Sequence, residues 1–173
     1  TIPAALSHGD GGFSIKNETS GAFSSFAATP GVRPLTGDFD GDGKQDIAAV
    51  WQLGRLWTVK NGDNQLLFSA PWGVPGDTPL GCDLDGDGAS DRVIVRLESN
   101  NLYTWHIALA TGPVLSYSFG SIGDRPSCDK DFTGDGLPDL AVFRPSTGHW
   151  FLRDSSTGST SQFSFGLAGD VPL

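Results

Sequence analysis

The chain has 173 residues, enough for a domain with its own core; 38 % are apolar, 24 are glycine and only 18 % are charged. The net charge is −9, no stripe of Lys and Arg runs along the sequence, and no apolar run approaches the ~18 residues of a membrane-crossing helix. The composition therefore argues against a nucleic-acid partner and a helical membrane span, and suits many short strands joined by Gly- and Pro-rich turns. Position 1 is Thr and there is no Met, so the expected origin is a processed product or an excised fragment.

The elements follow one another in a repeating order. Residues 1–35 hold strand-like runs at Gly11–Asn17 and Ala22–Ala27, then a Gly-Pro element at Pro30–Leu35. Asn17-Glu18-Thr19 is a sequon, which makes Asn17 a glycosylation site if the host is eukaryotic. Next comes an acidic loop, Asp38 to Asp46, reading D-F-D-G-D-G-K-Q-D. It is followed by an apolar run at Ile47–Trp51, an aromatic-bearing run at Leu56–Val59, a third run at Leu66–Phe68 and a second Gly-Pro element at Gly73–Pro79. The order recurs from Asp83 to Asp91, D-L-D-G-D-G-A-S-D, with runs at Val93–Val95, Leu102–Trp105 and Leu115–Phe119, then Gly120–Pro126. It recurs again from Asp131 to Asp139, D-F-T-G-D-G-L-P-D, with runs at Leu140–Phe143, His149–Leu152 and Phe163–Phe165, then Gly166–Pro172. The residues leading into each acidic loop supply a fourth short strand. No window sustains helical periodicity.

Loop spacings of 45 and 48 residues, with four strands in each interval, match the size of one propeller blade. The expected fold is all-β: β-propeller blades of four short antiparallel strands, in about four repeats near 1–35, 36–80, 81–127 and 128–173. The first repeat lacks its inner strand and acidic loop. The acidic loop joins the first and second strands of each complete blade.

Carboxylates at alternate positions of a tight loop converge on one point, where a hard cation turns their repulsion into an oxygen cage. Calcium takes roughly 6–8 oxygens, and the all-oxygen set without Cys or His argues against zinc and copper. The first loop offers the side chains of Asp38, Asp40, Asp42 and Asp46 and the Lys44 carbonyl. The second offers Asp83, Asp85, Asp87 and Asp91 with the Ala89 carbonyl, and the third Asp131, Thr133, Asp135 and Asp139 with the Leu137 carbonyl. Three calcium sites are expected, the third weaker because Thr133 replaces a carboxylate. An EF-hand does not fit, because its longer loop closes with a Glu. Eleven of the twenty acidic residues sit in these loops, and without them the balance is +2. The acidity thus reports ion binding more than a charged surface.

The residues Phe39-Asp40-Gly41-Asp42-Gly43, Phe165-Gly166 and Gly169-Asp170-Val171-Pro172-Leu173 resemble the FG-GAP/VCBS repeats of secreted bacterial and fungal proteins and, more distantly, of the integrin α-subunit propeller. The resemblance covers essentially the whole chain. It implies calcium-binding propeller blades used by lectins, adhesins and the non-catalytic arms of larger enzymes. The chain departs from it in the loopless first unit and in having four units where about seven usually close a ring.

Cys82 and Cys128 each precede an acidic loop, which leaves open a disulfide between adjacent inner strands or two buried free thiols. Phe13, Trp57, Tyr103 and Trp150 stand at matched points, which points to blade packing, with a ring of sugar platforms as the bolder alternative. Trp51 and Trp72 fall outside that pattern and are the candidates for a unique ligand site. Asp77, Asp124 and Asp170 recur as turn residues. No Ser lies in a G-x-S-x-G elbow, and no nucleophile is paired with a base and its orienter. The expected role is a secreted, non-catalytic, calcium-stabilised module binding a glycan or an extracellular protein. The alternatives are a structural subunit joined through open strand edges, as a homo-oligomer or in a mixed assembly, and the propeller arm of a polysaccharide-acting enzyme.

Overall fold

The computed structural model describes residues 5–7 by their backbone, and 12–16, 20–27, 29–51 and 55–170 in full. The sequon residue Asn17 and the last three residues, 171–173, lie outside the described residues. The architecture is all-β, with four antiparallel sheets in chain order and no helix among the described residues.

The first sheet has three strands, β1 (Ala5–Ser7), β2 (Phe13–Lys16) and β3 (Phe23–Phe26). The second has β4 (Val32–Gly37), β5 (Asp46–Trp51), β6 (Leu56–Lys60) and β7 (Leu66–Pro71). The third has β8 (Thr78–Cys82), β9 (Asp91–Leu97), β10 (Leu102–Ala108) and β11 (Val114–Ser121). The fourth has β12 (Arg125–Ser127), β13 (Leu140–Arg144), β14 (His149–Arg153) and β15 (Thr160–Ser164). Within each sheet the strands are ordered as in the chain, so every connection is a hairpin. The acidic loops join β4 to β5, β8 to β9 and β12 to β13.

Burial explains why the sequence runs look as they do. The second strand of each four-stranded sheet is packed on both faces, so it reads as unbroken apolar sequence: Ile47–Val50 and Leu140–Phe143 are buried throughout. The third strand alternates, with Trp57 and Val59 buried and their neighbours half-buried. The outermost strand is largely solvated, and β15 is exposed at every residue.

Two clusters lie between sheets. One joins Phe39, Ala48, Val50, Trp57 and Val59 of the second sheet to Ile94 of the third. The other joins Val93, Val95, Trp105 and Ile107 to Leu140 and Val142 of the fourth. Each junction has a knob and a seat. A Cβ on Gly73 would lie 3.3 Å from the Ile94 side chain, and one on Gly120 would lie 3.0 Å from Val142. Both glycines also have positive φ, so two requirements select glycine there.

The register corrects one expectation. Val50 pairs with Trp57, Val95 with Trp105 and Phe143 with Trp150, so Trp105 rather than Tyr103 is the matched aromatic of the third sheet. Tyr103 lies two residues nearer the turn, opposite Leu97, because the β9–β10 hairpin is longer than its counterparts. The three indoles share one clamp. Nε1 of Trp57, Trp105 and Trp150 donates to the carbonyls of Trp72, Phe119 and Phe165 at 3.3, 2.8 and 3.1 Å.

Candidate functional site

Each acidic loop is built around its first carboxylate. Asp38 accepts N–H bonds from Gly41 and Gly43 at 2.8 and 2.7 Å; Asp83 accepts from Gly86 and Gly88 at 2.8 and 3.0 Å; Asp131 accepts from Gly134 and Gly136 at 2.6 and 2.9 Å. These amides hold the Asp131 carboxyl below its ordinary range. The wrapped backbone gathers the alternate carboxylates. One oxygen from each of Asp38, Asp40 and Asp42 lies within 4.8 Å of the others, and the same holds for Asp83, Asp85 and Asp87. The third loop brings Asp131 and Asp135 with Thr133, a hydroxyl in place of the middle carboxylate.

The ninth residue of each loop is placed differently. Asp46, Asp91 and Asp139 are fully buried, and each reaches back to an N–H near the loop's start: Phe39 at 2.8 Å, Leu84 at 2.9 Å, and Phe132 with Thr133 at 2.8 and 3.0 Å. The other oxygen of Asp91 takes the Ala110 N–H at 2.8 Å, and that of Asp139 takes Ser155 at 3.3 Å. Oδ1 of Asp46 is buried with no partner. Burial pushes the Asp46 carboxyl up to about 7 despite the Phe39 N–H, and the charges of Asp40, Asp38 and Asp42 add to this. Burial likewise raises Asp91 to about 6 against the N–H bonds of Leu84 and Ala110.

The sequence did not disclose the groups that meet the fifth position. Lys44 Nζ pairs with Asp42 at 2.6 Å, Thr111 donates its hydroxyl to Asp87, and Ser156 donates to Asp135 at 2.6 Å. Lys44 lowers the Asp42 carboxyl, and the Thr111 hydroxyl followed by the Ala89 N–H lowers that of Asp87. Neighbouring loops also touch. Ser90 of the second loop accepts the Asp38 N–H at 3.1 Å and donates its own N–H to the Asp38 carbonyl. Two polar residues ten or more positions from any acidic repeat, and one inside it without a carboxylate, carry no pattern that marks them.

Cys82 and Cys128 are joined as a disulfide with Cα atoms 5.9 Å apart, linking the ends of the inner strands of the third and fourth sheets. Trp72 packs onto the second sheet's cluster beneath the Arg92 guanidinium, 5.9 Å from its ring, and is taken up in packing. Trp51, at the end of β5, is 45 % exposed.

Trp51 also marks a swap. Arg96 and Arg144 occupy its position in the next two sheets, where each makes a two-pronged pair with Asp77 or Asp124 at 2.7–2.9 Å. In the second sheet Val32 faces Trp51, so an apolar pair replaces the ion pair. Asp77, Asp124 and Asp170 all accept the N–H of the residue three before them, as their turn role requires.

A cleft of about 610 Å³ opens between the third and fourth sheets. Leu102, Phe119 and Phe151 give it apolar walls, and Arg144, Thr160, Ser161 and Gln162 give it polar groups. Neither Trp51 nor Trp72 lines it. On the fourth sheet, Ser164 Oγ lies 3.0 Å from His149 Nε2, whose Nδ1 is 3.1 Å from the Thr147 carbonyl. That spacing suits a nucleophile and base. Thr58–Ser69 and His106–Ser116 make similar cross-strand bonds, however, so the pair belongs to a recurring way of tying outer strands together.

No helix of the described residues is long and apolar enough to cross a membrane. No known family pattern and no curated protein matches the chain. Among solved structures it is similar to a catalytically inactive variant of virginiamycin B lyase from Staphylococcus aureus with quinupristin, with a TM-score of 0.54 and 12 % identity. The match covers 94 % of this chain and 55 % of that one, so the chain spans about half the length of the structure it resembles. The likeness is one of fold: antiparallel four-stranded sheets arranged as in a β-propeller.

Proposed function

We propose that this chain is a calcium-stabilised, non-catalytic β-propeller module of the FG-GAP type, working outside the cell as a binder of glycans or of another protein. One observation carries the metal reading. Asp38, Asp40 and Asp42 converge beside Asp46, whose fully buried Oδ1 has no partner. Four carboxylates in so small a space repel one another, and a buried carboxylate without a partner is costly. The all-oxygen donor set fits calcium, which brings two positive charges to the loop. Asp38, Asp40 and Asp42 would hold the ion, with the Lys44 carbonyl completing the turn and Asp46 neutralised beside it. Asp83, Asp85 and Asp87 repeat the arrangement, and Asp131, Thr133 and Asp135 offer a site with one charge fewer.

The role of such a site is to clasp the first strand of a sheet to the second. Equilibrium dialysis should find about three calcium ions per chain, and Asp42→Ala should remove one. Absence of calcium binding at millimolar concentration would overturn the reading. A disulfide between the third and fourth sheets agrees with an oxidising, extracellular setting. The mixture of aromatic, hydroxyl and amide groups in the cleft suits a sugar ring. Glycan-array binding that disappears with Phe151→Ala and Gln162→Ala would support the cleft as the ligand site; binding unchanged by both would move the site elsewhere.

A further inference from the structure

One face of each complete sheet is made to receive a neighbouring sheet. On the second sheet that face centres on Trp57 and is covered by Ile94; on the third it centres on Trp105 and is covered by Val142. Both indoles are 0 % exposed. The fourth sheet builds the same face. Trp150 donates to the Phe165 carbonyl, and its ring lies 5.9, 5.2 and 6.4 Å from those of Phe132, Phe143 and Phe163. Gly166 stands where Gly73 and Gly120 seat the knobs of the following sheets. Yet this face is open: Phe163 is 40 % exposed, Phe165 74 % and Leu167 75 %. Asp170 forms the same turn as Asp77 and Asp124, but among the described residues no guanidinium meets it.

The interior junctions say what fits there: the second strand of another sheet, with an aliphatic residue at the knob position. The first sheet supplies such a strand. Phe13 stands two residues before the buried Ile15, as Trp150 stands two before Leu152. Ser7 pairs with Phe13 as Phe143 does with Trp150, so Leu6 holds the register position of Val142. β1 is moreover an edge strand, last in its sheet.

We propose that the aromatic face of the fourth sheet docks on the first sheet of a second copy of this chain. Made in both directions, the junction closes two chains into one two-fold ring. The size agrees, since one copy covers 55 % of the propeller-like chain it resembles. The proposal rests on the packing repeat and not on the metal reading.

Sedimentation equilibrium of the 173-residue chain at tens of micromolar should give twice the monomer mass. The double variant Phe165→Glu/Leu167→Glu changes only exposed side chains; it should keep its circular dichroism and weaken the dimer by 100-fold or more. Orientation is read separately. The native cysteines are already paired, so Leu6→Cys and Leu167→Cys chains should cross-link when mixed and not when each is alone. A monomeric wild-type chain, whether its own first sheet or nothing covers the face, would overturn the proposal. So would cross-linking of Leu167→Cys chains with one another.

Discussion

The first and second acidic loops share one nine-residue pattern and differ in the hairpin that stands behind it. Behind the first, the β6–β7 turn closes on itself: Asn61 Oδ1 accepts the N–H groups of Asp63 and Gln65, and Asp46 Oδ1 receives no bond from that turn. Behind the second, the β10–β11 connection, of the same length, sends the Ala110 N–H to Asp91 and the Thr111 hydroxyl to Asp87. The second loop is thus clasped by the protein itself, as is the third through Ser155 and Ser156. The first has Lys44 at its fifth position and Ser90 at its start, but no bond from its own hairpin to its carboxylates. Identical motifs can therefore differ in how much of their order is intrinsic, and the difference lies in residues outside the motif.

Chelation should produce the largest effect. Calcium at about 100 times its dissociation constant adds roughly 2.7 kcal/mol per site. Three sites in a chain of this size then correspond to a midpoint change on the order of 20 °C. Calorimetry with and without EDTA measures it, and hydrogen exchange should show the first loop losing protection before the second. Simultaneous loss would erase the contrast between them.

Next in size is a paired substitution in calcium-free protein. Asp91→Asn turns an amide N–H₂ toward one of two backbone N–H groups, a cost of about 2 kcal/mol. Asp46→Asn can keep the Phe39 bond and place its N–H₂ at the unpartnered side, so it should be close to neutral. Equal shifts in urea midpoint would show that the hairpins do not matter.

The pH response has a definite sign. The folded Asp46 carboxyl sits at about 7 against 3.8 for the free side chain, so the folded chain binds the proton more tightly than the unfolded one. Stability of the calcium-free protein then falls as pH rises from about 4 to about 7. Asp91, at about 6, contributes in the same direction over a narrower window. Urea midpoints at pH 5 and 7.5 should differ, and Asp46→Asn should remove more of the slope than Asp91→Asn. Adding calcium should abolish or invert it.

The smallest effect concerns Lys44. Its ammonium lies on the exposed surface beside Asp42, so Lys44→Ala should leave the urea midpoint unchanged within error. It should raise calcium affinity at the first loop a few-fold by removing a competing charge, as titration calorimetry would show.

Much of the fold was readable because it repeats. Gly-Asp turns, apolar second strands and acidic loops recur at near-constant spacing, and the strands follow them. The aromatic of the third sheet was misassigned because hairpin length is not repeated: three extra positions between Val95 and Trp105 brought Tyr103 close to the place expected for the matched aromatic. Trp72 looked irregular, yet its carbonyl receives the Trp57 indole and its ring joins the core. The carboxylates of the loops were plain in the sequence. Their partners Thr111, Ser156 and Ser90 were not, because a hydroxyl acquires its role only when a distant strand brings it near. Which face of the last sheet stays open is likewise a property of packing.

The disulfide has a mechanical consequence. Cys82 and Cys128 are 46 positions apart, and the second acidic loop, β9, β10, β11 and β12 lie between them. A force pulling on the two ends of the chain would pass through β8 and the sulfur bridge and leave β9, β10, β11 and β12 off the covalent load path. Single-molecule extension under oxidising conditions should fall short of the reduced chain by about 160 Å, taking roughly 3.5 Å per residue.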